Sequence, residues 1–82
     1  MAAVHATHEL RAEHRAAAPG QSGRLGGLGP VKTWHMVRGS GTTAMCGRAL
    51  DPVAASRPEE DWGRTREICC HTCGALYLRE VP

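Results

Sequence analysis

The chain has 82 residues, with no phenylalanine, one tyrosine and two tryptophans. Large side chains for building a core are therefore scarce. Chains below roughly 70–80 residues usually need a disulfide, a metal or a partner to reach useful stability. Long apolar runs are also missing: no stretch approaches the roughly 18 residues that span a bilayer, so no membrane partner is expected. Lysine occurs once against nine arginines, and the net charge is only +2. The start of the chain lacks a basic segment followed by an apolar one, and Glu9 and Glu13 argue against a transit peptide. A cytoplasmic location is the expectation. Thiols stay reduced there, so clustered cysteines more often bind metal than form disulfides.

Catalytic patterns are lacking too. The glycine-rich stretch Gly20–Gly29 is not followed by Gly-Lys-Ser/Thr, which excludes a phosphate-binding loop of that kind. No serine or threonine sits in a nucleophile elbow. The acidic trio Glu59-Glu60-Asp61 reads as a solvated loop. The chain is not expected to be an enzyme.

What is present is a set of metal ligands. Cys70 and Cys73 form a C-x-x-C pair followed by Gly74, and Cys46 upstream is followed by Gly47. Two intervening residues let the chain turn back so that both sulfurs meet one metal. Glycine permits the close backbone approach such a turn needs. His35 lies eleven positions before Cys46, in Thr33-Trp34-His35-Met36-Val37. Three cysteines and one histidine are a standard closed set for structural Zn2+. The expected ligands are His35, Cys46, Cys70 and Cys73, and Zn2+ is the expected cofactor. Cys69 is an alternative to Cys70, with C-x-x-x-C spacing, or to His35 in an all-cysteine site. Adjacent residues on an extended segment face opposite sides, so Cys69 is expected to point away as a small buried residue. His71 is expected to face solvent. His5, His8 and His14 are read as solvated tail residues.

Residues 1–30 and 31–82 differ in texture. Met1–Ala18 has good helix propensity but poor apolar periodicity, because Val4 and Leu10 are not neighbours on a helix face. It reads as a fraying helix or a flexible tail, broken by Pro19-Gly20. Gly20–Pro30 reads as a linker. Val31–Val37 reads as a strand, Gly39-Ser40-Gly41 as a turn and Thr42–Cys46 as a returning strand. That hairpin brings His35 to Cys46. Asp51–Arg64 reads as an exposed loop pinned by Trp62. Thr65–Cys69 reads as a third short strand, and Ala75–Val81 as a helix in preference to a strand. A helix starting near Cys73 would aim its positive end at the thiolates. The expected fold is thus a small α+β metal-stabilised domain over 31–82. It comprises a zinc-finger-like β-hairpin, a C-x-x-C knuckle and a short C-terminal helix, with 1–30 as a flexible or partly helical tail.

Residues 34–82, about 60% of the chain, resemble the short zinc-finger-like proteins encoded in many actinobacterial genomes and their phages. The likeness rests on His35, on Thr42-Thr43-Ala44-Met45-Cys46-Gly47-Arg48 and on Cys70-x-x-Cys73. It implies a zinc ion held by His35, Cys46, Cys70 and Cys73. The doubled Cys69-Cys70 departs from the single cysteine of that pattern. The spacing does not match the four-cysteine iron–sulfur regulators of the same bacteria, which carry a further cysteine after C-x-x-C.

A closed site with no catalytic set points to a small binding module that meets another protein or assists transcription. Direct nucleic-acid binding is weakly supported. Residues 31–82 hold seven Lys+Arg and six Asp+Glu, without the concentrated basic patch of duplex binders. The alternative is a thiol redox sensor that releases zinc on oxidation. An iron–sulfur protein is a third reading.

Overall fold

The computed structural model describes residues 7–16 and 28–80. His5, the Pro19-Gly20 break, most of the Gly20–Pro30 segment and Val81 lie outside the described residues. Among the described residues, four strands, β1 (His8–Ala16), β2 (Leu28–Arg38), β3 (Ser56–Pro58) and β4 (Ile68–Cys69), precede one α-helix, α1 (His71–Glu80). The sheet order is β3-β1-β2-β4. β1 runs antiparallel to β2 and β3, and β4 runs parallel to β2. The architecture is a small α+β fold.

The expectation of a solvated or helical tail fails at His8–Ala16, which is an inner strand of the sheet. The physical reason is a period of two. His8, Leu10, Ala12 and His14 alternate with Glu9, Arg11, Glu13 and Arg15. Alanine, glutamate and arginine favour helix in isolation, but tertiary pairing overrides so weak a preference. Leu10 faces Met36 and Ala12 faces Trp34 across the β1–β2 pair, and all four are buried. The opposite alternation places Arg11 across from His35 and Glu13 across from Thr33. Glu13 faces Thr33 and His14 faces Val31, which leaves Lys32 as an extra residue at a bulge.

His8 and His14 are accordingly structural. His8 is buried against the edge of the Tyr77 ring and bonds Glu80 through Nε2 at 3.0 Å. His14 donates from Nδ1 to the Gly29 carbonyl at 2.8 Å and accepts from Ala55 N–H at 3.2 Å. The buried Arg11 guanidinium donates to the carbonyls of Gly41, Pro52 and Ala54 and to Glu9, tying the loop after β2 to the sheet.

The strand expected at Val31–Val37 is present, extended to Leu28–Arg38. Its expected partner is not. Thr42–Cys46 makes only isolated bridges, Val37 to Ala44 and Thr43 to Ala49. The backbone of this segment is spent on itself: Leu50 N–H donates to Thr42 O, Ala44 N–H to Arg48 O and Gly47 N–H to Ala44 O. A tight loop results, with Cys46 at its tip and Gly47 at φ 96°. One bond, Met45 N–H to Met36 O at 2.8 Å, holds that tip to the edge of β2.

Asp51–Arg64 is not wholly a loop. Ser56–Pro58 adds an edge strand, where a proline is tolerated, and Glu59–Asp61 forms a 3-10 turn. Trp62 does pin it: the ring packs against the core, and a Cβ added at Gly74 would lie 3.3 Å from Trp62 Cζ2. The third strand shrinks to Ile68–Cys69. The expected C-terminal helix is present but begins earlier, at His71.

Candidate metal centre

Three segments converge at one point on the edge of β2. β4 pairs with Thr33 and Trp34, and the Cys70 N–H then donates to Trp34 O at 2.8 Å. Just beyond, the Met45–Met36 bond brings in the loop tip that carries Cys46. Between them β2 presents His35, which is 4% exposed. The sequence places Cys70 at the entry to α1 and Cys73 in its first turn, where Cys73 is fully buried.

The ligand atoms of His35, Cys46, Cys70 and Cys73 all lie within 4.8 Å of one another. His35 Nδ1 is 3.7 Å from Cys46 Sγ and 3.6 Å from Cys73 Sγ. The expected four residues are therefore brought together, and this group can hold a metal ion. The expected proximity of His35 to Cys46 holds, although a loop tip delivers Cys46 rather than a strand. Cys69 is not in the group. Its Sγ lies 3.6 Å from Thr65 Oγ1, and its partly buried side chain packs against the core, as expected of a residue facing away from its neighbour. His71 is exposed and also stands outside the group.

Backbone groups point at the sulfurs. Cys73 N–H lies 3.5 Å from Cys70 Sγ, and Gly74 N–H donates to Cys70 O at 3.0 Å. Cys70 thus occupies the position of a capping side chain, where helix N–H groups favour negative charge. The thiols differ in environment. Burial pushes Cys46 up, but the Arg48 backbone N–H and the Cys73 and Cys70 side chains pull it further down, and its net direction is downward. Cys73 is pushed up to about 12, chiefly by burial, with the Cys46 and Cys70 side chains adding to the rise. A buried thiol of this kind loses its proton to solvent readily only when a cation takes its place on the sulfur, which reverses the local preference.

Sequence reasoning missed Glu13. Its Oε1 accepts a hydrogen bond from His35 Nε2 at 2.9 Å. Its Oε2 lies 2.9 Å from Arg48 and 3.4 Å from Lys32 Nζ. The His35 bond holds the Glu13 carboxyl below its ordinary range; burial opposes this, and Arg48 and Lys32 reinforce it. An ionised carboxylate only accepts, so in this bond Nε2–H is the donor, and Nδ1 is left on the side of the sulfurs. The available signal was the two-residue alternation of His8–Arg15, which places Glu13 on the face that holds Arg11.

No protein-family model, curated protein or solved structure matches the chain.

Proposed function

We propose that the chain is a small protein whose fold is closed by a structural Zn2+ on His35, Cys46, Cys70 and Cys73, and that it serves as a binding module for another protein, including in transcription. The observation that carries the reading is the convergence of four ligand atoms from β2, a loop tip and the start of α1. A tetrahedron with Zn–S of about 2.3 Å and Zn–N of about 2.0 Å sets sulfur and nitrogen about 3.5 Å apart. The two His35 Nδ1–sulfur distances, 3.7 and 3.6 Å, are close to that spacing. Four protein ligands leave no open position for water or substrate, which favours a structural over a catalytic role. No helix among the described residues is long and apolar enough to cross a membrane. The likeness of residues 34–82 to the actinobacterial proteins, and a cytoplasmic location, belong to the same proposal.

Native mass spectrometry of protein purified without added metal or chelator tests the site. One zinc per chain is expected, kept in Cys69→Ser and lost in His35→Ala. Absence of zinc, or zinc that depends on Cys69, overturns the assignment. Release of zinc under mild peroxide with matched thiol loss would favour the redox sensor over the constitutive module.

A further inference from the structure

Metal ligation needs one imidazole nitrogen free of its proton and aimed inward, and something must decide which nitrogen that is. At His35 the decision comes from β1. Glu13 stands on β1 one residue beyond Ala12, whose cross-strand partner is Trp34 beside His35. Its carboxylate side chain is 14% exposed and accepts a hydrogen bond from His35 Nε2 at 2.9 Å. The carboxylate is itself held. Arg48, two residues beyond Cys46, grips Oε2 at 2.9 Å, and Lys32, the extra residue of the β2 bulge, approaches it at 3.4 Å. One side chain therefore connects β1, the β2 bulge, the Cys46 loop and the imidazole.

We propose that Glu13 is the positioning carboxylate of the metal site: it fixes His35 with its proton on Nε2, directs Nδ1 at the three sulfurs, and so makes β1 part of the metal-binding unit. This rests on the metal-site reading above. The charges agree with it. A divalent ion, three thiolates and the Glu13 carboxylate carry a net double negative charge, and Arg48 and Lys32 match it. Carboxylates placed behind a ligating histidine orient the ring and raise its basicity, and losing one typically weakens metal binding about 10–100-fold. β1 and the metal are then linked thermodynamically: ordering the strand strengthens the site, and filling the site strengthens the strand.

The test uses the full chain as wild type, Glu13→Ala, Glu13→Gln and Ala12→Gly. Ala12→Gly weakens β1 without touching the carboxylate. Zn2+ affinity is read by competition with a chromophoric chelator. The His35 tautomer is read in the Zn2+ form by two-bond 1H–15N correlation, and the ligand set in the Co2+ form by its visible absorption. In wild type His35 shows a protonated Nε2 and a metal-bound Nδ1. Glu13→Ala is expected to lose about 10–100-fold in affinity and to show a mixed or switched tautomer or an altered cobalt spectrum. Glu13→Gln keeps an acceptor for Nε2–H and is expected to retain the wild-type tautomer and recover most of the affinity. Ala12→Gly is expected to lose affinity with the tautomer unchanged. A Glu13→Ala protein that keeps the wild-type tautomer and spectrum, with no more loss than Ala12→Gly, overturns the proposal. If Glu13→Ala does not fold, Glu13→Gln decides: a switched tautomer there refutes the acceptor role. A wild type that binds neither metal overturns the underlying site and this inference with it, whereas a loaded wild type with an indifferent Glu13→Ala overturns this inference alone.

Discussion

Replacing Leu10 by alanine separates a structural β1 from a dispensable tail. Leu10 is 0% exposed and faces Met36, also fully buried, across the β1–β2 pair. The substitution removes three carbons, about 2.4 kcal/mol of transfer free energy at about 0.8 kcal/mol each. The unfilled space adds to this, and buried Leu→Ala changes span about 2–5 kcal/mol. We expect about 3 kcal/mol. A core of this size supplies only about 3–5 kcal/mol in total, so the metal-free variant would keep at most about 2 kcal/mol and unfold too early for its midpoint to be read well. The comparison therefore belongs in saturating Zn2+, where linkage adds a similar increment to both proteins. Urea unfolding can be followed by tryptophan fluorescence, since Trp34 is buried beside β1 and Trp62 is partly buried. With a slope near 1 kcal/mol per molar urea, the midpoint should fall by about 3 M. Arg15→Ala, at an exposed position on the same strand, should shift it by less than about 0.5 kcal/mol. Equal midpoints for Leu10→Ala and Arg15→Ala would refute the placement of β1 in the sheet.

Two further outcomes follow from local geometry. Gly47 has φ 96° and open space where a Cβ would stand, so Gly47→Ala should cost about 1–2 kcal/mol through the backbone alone; a neutral effect in urea unfolding would show that the Cys46 loop relaxes freely. Tyr77 donates to Glu59, and that bond, with burial and the nearby charge, pushes its phenol up to about 12. The folded value lies above the unfolded value of about 10. The Tyr77 contribution is therefore complete below about pH 10 and is lost as pH rises toward 12. As the only tyrosine, it can be read at 295 nm, and the folded protein at pH 11 should remain mostly phenol where Glu59→Gln has begun to ionise.

The clustering of the three cysteines was legible because its pattern is local: C-x-x-C spacing and cysteine–glycine pairs are written in contiguous residues. The strand at Val31–Val37 was legible for the same reason, its β-branched and aromatic residues marking it directly. The route by which Cys46 arrives was not. Thr42–Cys46 looks like a strand until Gly47 closes a loop on Ala44 and uses up the hydrogen bonds a strand would need. His8–Ala16 was misread for the opposite reason. Its residue types favour helix, and only the alternation of His8, Leu10 and Ala12 with Glu9, Arg11 and Glu13 marks a strand. That alternation gains its meaning from Met36 and Trp34, more than twenty residues away.

The same alternation explains why one strand serves both core and site. A period of two gives β1 two independent faces. One carries Leu10 and Ala12 into the apolar cluster with Trp34 and Met36. The other carries Arg11 to the loop carbonyls and Glu13 to His35. A chain without phenylalanine has few large side chains to bury in its sheet, and in the proposed metal site the histidine on β2 is backed by Glu13 on β1. Joining the two functions on β1 makes each conditional on the other. Core substitutions on the Leu10 face should therefore weaken metal binding in proportion to the stability they remove, whereas substitutions at Glu13 should weaken it by more than their effect on stability accounts for.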